Sequence, residues 1–185
     1  MRVIAGSLRG RRLRPPTWAG LRPTSDKLRE TLFNVLSPRV VGARVVDAYA
    51  GTGAAGIEAI SRGALDVCFV EQDRRAQALI AENLEHCGIT TGYTMIRMDA
   101  HRAFRSLVGR PGPDGLFDIV LLDPPYAIDH DDIARVLEAA GEIVAAGGVV
   151  VLEHARRTPV PETAGRLRRQ RDVRSGDSEL SFYQL

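Results

Sequence analysis

Ile119-Val120-Leu121-Leu122 runs without a polar break into Asp123-Pro124-Pro125-Tyr126. A strand apolar on successive residues has no face to offer water, so it belongs inside a sheet covered on both sides. The neighbouring pattern agrees. Val45-Val46, Val67–Val70, Tyr93–Met98, Phe117–Leu122 and Val149–Leu152 read as strands. Between them lie helical patterns: one starting at Ile57–Ile60, one from Asp73 with an inward stripe of Ala76, Leu79, Ile80, Leu84 and Cys87, and one over Ile133–Val144. Alternation of this kind predicts an α/β domain with a mostly parallel sheet. Residues 166–174 and 180–185 predict two further strands, antiparallel across Ser175-Gly176-Asp177. Ahead of the alternation, a helix capped by Thr24, Ser25 or Asp26 buries Leu28, Leu32, Val35 and Leu36, presents Lys27, Arg29 and Glu30 to water, and ends at Pro38.

The end of the fourth strand is chemically specific. Two prolines remove two N–H donors and hold the chain extended, leaving the Asp123 carboxylate and the Asp123 and Pro124 carbonyls as a rigid set of acceptors. Acceptors that grip the hydrogens of an exocyclic amine on a planar base favour its pyramidal, nucleophilic form. Tyr126 beside them offers a ring on which a base can stack, worth about 1–3 kcal/mol. As a bare tetrapeptide the motif also fits a strand-to-helix turn with a capping Asp.

Asp47-Ala48-Tyr49-Ala50-Gly51-Thr52-Gly53-Ala54-Ala55-Gly56 contains a G-x-G-x-x-G after a strand and before a helix, with Glu71 about twenty residues on, the pattern of a dinucleotide site. Asp47 argues against that ligand, because its carboxylate would face a pyrophosphate at the helix N-terminus. A cationic cofactor such as S-adenosylmethionine reverses the sign. Asp47 attracts its sulfonium and ammonium, while the loop N–H groups take its carboxylate. Asp47, Glu71, Asp99 and Asp123 stand at four successive strand ends, the edge where open α/β sheets bind ligands. Asp99 also fits as a plain helix cap.

The net charge of +2 is segregated. Residues 1–22 carry six arginines and no acid, residues 156–185 a net +3, and the body between them −7. A polyanion held by the basic ends of an acidic body follows. Residues 2–14 suggest a hairpin with exposed Arg9, Arg11, Arg12 and Arg14, followed by a Pro15-Pro16 linker, giving an extension over 1–22 and a main domain over 23–185. Cys68 and Cys87 and the four histidines show no paired or zinc-like spacing, so no metal is expected. Nothing approaches the ~20 apolar residues of a membrane span, and a cytoplasmic protein is expected.

On these residues the sequence resembles the class I S-adenosylmethionine-dependent methyltransferases, and more narrowly the bacterial 16S rRNA guanine-N2 methyltransferases (RsmD type). The resemblance rests on Arg2-Val3-Ile4-Ala5-Gly6 with Gly10-Arg11, on Arg22-Pro23-Thr24-Ser25-Asp26-Lys27-Leu28-Arg29-Glu30-Thr31-Leu32-Phe33-Asn34, on the glycine loop and on Asp123–Tyr126. It implies a Rossmann-like sheet of seven strands with the last pair reversed. It also implies cofactor binding by Asp47, Tyr49, Ala50, Gly51, Thr52 and Gly53 around the methionine part, by Glu71 and Gln72 at the ribose, and by Asp99 and Ala100 at the adenine. Asp123, Pro124, Pro125 and Tyr126 become the catalytic set for the N2 amine of guanine 966. Arg2, Arg9, Arg11, Arg12, Arg14 and Arg22 become RNA contacts, with 16S rRNA in the assembling 30S subunit as partner of a monomer. Tyr49 stands where Phe is common and Thr52 where Ser is common. Adenine-N6 or cytosine-N4 methylation, on RNA or DNA, uses the same motif. A nicotinamide oxidoreductase and a noncatalytic RNA-binding factor are the more distant alternatives.

Overall fold

The computed structural model describes residues 1–21, 24–109 and 116–185. The expected RNA contact Arg22 lies outside them, as does most of the loop before Phe117. The chain runs α1 (Asp26–Val40), β1 (Arg44–Ala48), α2 (Ala54–Ser61), β2 (Asp66–Val70), α3 (Arg74–Cys87), β3 (Tyr93–Ile96), α4 (Ala100–Leu107), β4 (Phe117–Leu122), α5 (His130–Gly141), β5 (Val144–Ala155), β6 (Thr163–Ala164), β7 (Leu167–Ser175) and β8 (Ser178–Gln184). Among the described residues, one sheet holds eight strands in the order β3-β2-β1-β4-β5-β8-β7-β6. The first five in that order are parallel. The parallel α/β expectation holds.

The closing strands refine it. β8 enters between β5 and β7 and is antiparallel to both, so β7 runs with the parallel set; a two-residue β6 adds an eighth strand at the edge. Two helix limits and one whole helix also differ from the sequence reading. α1 continues through Pro38 to Val40, because a proline in the last turn forfeits one hydrogen bond while Val40 is buried beneath it. α5 stops at Gly141, three residues short of Val144, which already begins the long strand β5. α4 was visible beforehand only as the possible cap Asp99, which does accept from the Arg102 N–H at 3.0 Å.

Strand alternation divides the core. Val45, Val67, Phe69, Ile119, Leu121, Val149 and Val151 pack on the side that holds Leu28, Phe33, Ile57 and Ile80. Val46, Cys68, Val70, Val120, Leu122, Val150 and Leu152 pack with Phe104, Ile133 and Leu137 on the other. Residues 2–14 make an antiparallel loop with a single bridge, Arg2 to Arg12. Glu58 of α2 fastens it by accepting from the Ile4 and Ala5 N–H groups at 2.7 and 3.0 Å. Asn83 of α3 fastens its far end, accepting from Arg14 N–H at 2.7 Å.

The third glycine of the loop motif is a packing residue. A Cβ on Gly56 would lie 2.2 Å from a Phe69 ring carbon, so α2 can approach β2 this closely only without one. Gly56→Ala should therefore destabilise the protein by about 1–3 kcal/mol in urea denaturation, and adding Phe69→Leu should recover part of the loss. Equal losses in the single and double variants would show that the ring is not the obstacle.

Candidate active site at the carboxyl edge of the sheet

Because the parallel strands are in register, their ends form rows. Asp47 stands level with Phe69 and Leu121, and Leu121 with Val151. Two residues further along, Glu71, Asp123 and Glu153 form a second row on the same face, the α1–α3 side, by the period of two. With Asp99 after β3, five acids mark five consecutive strands in sheet order. Four were visible in the sequence. Glu153 was missed because Val149–Leu152 reads only as a buried strand and Glu153 looks like its polar end.

These acids open on a cavity of about 510 Å³. Its wall includes Asp47, Tyr49, Ala50, Gly51, Thr52, Glu71, Gln72, Asp99 and Ala100 on one side, and Asp123, Pro124, Pro125, Tyr126 and Glu153 on the other. Every expected cofactor or catalytic residue is there except Gly53. That glycine is the N-cap of α2 in the left-handed region (φ 74°), with no side-chain cap on the helix. Tyr49 is left-handed too (φ 60°), a conformation costly for an aromatic residue and one that marks the loop as strained. Gly51 (φ 56°) sits under Leu21, which also lines the cavity.

The hydrogen bonds fix the carboxylates. Asp47 accepts from the Gly56 N–H at 2.8 Å. Glu71 accepts from Gly51 and Asp73 N–H groups at 2.9 and 2.8 Å, which locks the glycine loop to the end of β2. Asp123 accepts from the Thr24 hydroxyl at 2.5 Å, so the segment before α1 is tied to the fourth strand end. The Pro125 carbonyl is spent on the Ile128 N–H at 2.9 Å, which starts the turn one residue beyond Pro124. Tyr126 is half exposed, and its hydroxyl meets Ser178 Oγ at 2.9 Å and Glu153 Oε1 at 3.3 Å.

Arg29 departs most from expectation. Read as an exposed helix residue, it is fully buried and lines the cavity. Its guanidinium donates to Asp26, to the Arg2 carbonyl and to the Ala54 carbonyl, so it joins the N-terminal loop, α1 and α2. A flanking Asp26 three residues earlier was the only sequence signal. Of the expected RNA contacts, Arg2, Arg9, Arg11, Arg12 and Arg14 are exposed, with Arg14 paired to Glu82 at 3.0 Å and Arg11 donating to the His86 carbonyl.

The comparisons with known proteins converge. A family described as "Conserved hypothetical protein 95" matches residues 1–184. The Bacillus subtilis protein named "Putative rRNA methyltransferase YlbH" is 36% identical over 184 residues, 99% of this chain and 98% of that protein. The chain belongs to this family. A second member, Ribosomal RNA small subunit methyltransferase D of Escherichia coli strain K12, is 39% identical over 126 residues, covering 68% of this chain and 60% of that protein. The solved Escherichia coli structure described as "Putative methyltransferase yhhF" superposes with a TM-score of 0.82 at 29% identity, covering 100% of this chain and 97% of that one. The fold of this family member is the class I methyltransferase fold, and the protein is an enzyme of the rRNA methyltransferase type.

Burial sets the electrostatics of the family member's site. Desolvation, against the opposing Gly56 hydrogen bond and with Asp123 and Glu71 nearby, pushes Asp47 up to about 7. Desolvation also raises Asp123, and raises Glu153 to about 8 with the Asp123 charge adding to it. A carboxyl whose pKa is higher in the folded state stabilises the fold fully below its unfolded value and loses that contribution as pH rises through the folded value. For Asp47 the window runs from about 4 to about 7. Ligand-free wild type should lose up to ~4 kcal/mol relative to Asp47→Asn across that window, read as diverging melting temperatures; parallel pH profiles would contradict the buried-acid assignment.

Proposed function

We propose that the protein transfers a methyl group from S-adenosylmethionine to the N2 amine of a guanine in 16S rRNA, guanine 966 being the target by family resemblance. One observation carries the reading: the Asp123–Tyr126 acceptor set and the Asp47–Glu71 glycine loop line one cavity. The names of the full-length and partial relatives support the substrate class. The residues fit the cofactor. Gly53 brings no side-chain cap to α2 and Asp47 takes the Gly56 N–H, so the first turn at Ala54 and Ala55 on the cavity wall suits a carboxylate, and the Asp47 carboxyl suits a cation. Glu71 and Gln72 are disposed toward ribose hydroxyls, Asp99 and Ala100 toward adenine. When bound, the cofactor supplies an electrophilic methyl on a sulfonium.

Asp123 and the Pro124 carbonyl hold the amine hydrogens and keep its lone pair localised and aimed. The cofactor, held by Asp47, the glycine loop and Glu71, would supply the methyl group that this aimed lone pair takes up, and the amine proton would leave late. Positioning and fixed charge supply the rate, with no covalent enzyme intermediate. Tyr126 stacks on the base without reading it. The exposed arginines of residues 2–14 hold the phosphates outside an acidic cavity, as an extension of the main domain, with the assembling small subunit as the setting and a cytoplasmic monomer as the working form.

Asp123→Ala should retain S-adenosylhomocysteine binding and lose methyl transfer to rRNA by at least about a hundredfold, with mass-spectrometric nucleoside mapping to identify the product. Normal turnover in that variant would reject the assignment, and a methylated adenine or cytosine would redirect it to another base. Replacing Arg11, Arg12 and Arg14 together by Ala should flatten the log–log salt dependence of RNA binding by about 0.7 per lost phosphate contact. An unchanged slope would remove those arginines from the RNA contact.

A further inference from the structure

The cavity holds a second carboxyl that the transfer chemistry above leaves without a task. Glu153 is 7% exposed, lines the same cavity as Asp123 and, one residue beyond the Leu122–Leu152 pair of the neighbouring parallel strands, stands beside it on the same face of the sheet. Two buried carboxylates side by side repel each other, and such a pair is eased by keeping one proton, because a neutral carboxyl can donate to an ionised neighbour while two carboxylates are both acceptors. The surrounding donors say which carboxyl carries it. Asp123 Oδ2 accepts a short bond from Thr24 at 2.5 Å, which favours its anionic form. Glu153 Oε1 has only the longer contacts to Ser178 Oγ at 3.2 Å and Tyr126 at 3.3 Å.

Resting on the methyl-transfer reading, we infer that Glu153 is a positioning residue for Asp123: it holds the single proton shared by the pair, so that Asp123 presents one fixed negative charge to the substrate amine. The proton lost by the alkylated nitrogen then passes to the Asp123 oxygen, giving a neutral pair that returns one proton to solvent as product leaves. Glu153 also links this charge to the Tyr126 hydroxyl through Ser178, so the stacking ring and the amine grip share one network.

The groups around Glu153 come from every neighbouring element. They are Asp123 and Tyr126 beyond β4 and Ser178 on β8, with Asp47 on β1 and, on α1, the buried Arg29, already committed to Asp26 and two carbonyls, lining the same cavity. Ionising Glu153 as well would set two negative charges side by side, while Arg29 at the cavity wall is already paired to Asp26. Burial and the Asp123 charge place that event at about 8. The active, singly charged pair is therefore the form below that pH, and activity falls above it.

Two measurements test this. Infrared difference spectra of the ligand-free protein, wild type minus Glu153→Gln, should contain a protonated-carboxyl band that titrates near pH 8. In methyl transfer to an rRNA fragment, Glu153→Ala should lose about tenfold or more in kcat, with little change in S-adenosylhomocysteine affinity, which also reports that the variant is folded. Glu153→Gln, whose amide N–H donates to Asp123 as the neutral acid does, should recover most of that loss while abolishing the alkaline limb of the wild-type profile. No titrating band, a limb that persists in Glu153→Gln, or a Gln variant no better than Ala would each overturn the assignment. A titrating band in an enzyme that methylates no RNA would instead reject the proposed function, and with it this role, while leaving the shared proton in place.

Discussion

The site depends on the parallel register of β1, β2, β4 and β5. Side chains alternate faces with a period of two, so a register slip of one residue on any strand would turn its acid to the α4–α5 side of the sheet. The buried apolar residues prevent this slip. Val45, Ile119 and Val149 must face the α1–α3 layer while Val46, Val120 and Val150 face the other, and both layers are filled. The same packing that stabilises the sheet thus fixes Glu71, Asp123 and Glu153 in one row, with Asp47 two residues deeper. Burial acts on both rows, and at Glu153 the Asp123 charge adds to it. Asp47, 3% exposed between flanking strands, is raised by desolvation, whereas Asp99, on the helix-cap side of the rim, is engaged with the Arg102 N–H.

What could be read from the sequence follows from how local each constraint is. The apolar runs, the glycine loop and the Asp-Pro-Pro-Tyr turn are each encoded within about ten residues, and the architecture and most cavity residues follow from them. Arg29, Glu153 and Thr24 are nonlocal. Arg29 is charged and occupies a helix position next to Leu28, so periodicity alone places it at the boundary; only the meeting of Arg2, Asp26 and Ala54 makes its burial tolerable. Glu153 acquires meaning only when β5 is set beside β4 and β8 is inserted next to it, bringing Ser178 to its oxygen. Long β5 was misjudged for a related reason. Its first half, Val144–Gly148, contains Gly147 and Gly148, whose presence reads as a loop and is in fact a shift in register between Phe117 and Ile119 of its partner.

The N-terminal segment illustrates how a loop with little regular structure becomes an ordered part of the site. A single bridge would leave residues 2–14 marginal by themselves. Val3 and Leu13 are buried in the α1–α3 layer, and Glu58, Ser61 and Asn83 satisfy backbone groups that the short hairpin cannot. Glu58 is itself fully buried and bonded to Arg62 at 2.7 Å, so it is a paired charge whose remaining lone pairs serve Ile4 and Ala5. Asn83 adds a bond to the Thr52 carbonyl at 3.0 Å and so connects this segment to the glycine loop. The basic surface is thereby held rigidly relative to the cavity rather than tethered by a flexible linker.

Charge separation gives this arrangement its physical logic in the proposed reaction. A cavity edged by five carboxyls repels phosphate, and the buried guanidinium of Arg29 at its wall is already paired to Asp26. On the proposed function, a nucleic acid approaches with its backbone outside, against the arginines, while an uncharged base enters alone. Inside, the acids would also repel one another unless some were protonated or matched by a cation. Raised values for Asp47 and Glu153 are the protein's answer before ligand arrives. A cationic cofactor changes the balance at Asp47, favouring its ionised form and releasing a proton on binding below pH 7, but it does not relieve the contact between Asp123 and Glu153. On the reading proposed for Glu153, the pair keeps one proton because two buried carboxylates side by side repel each other, and a negative charge confined to Asp123 is what an amine about to become cationic requires.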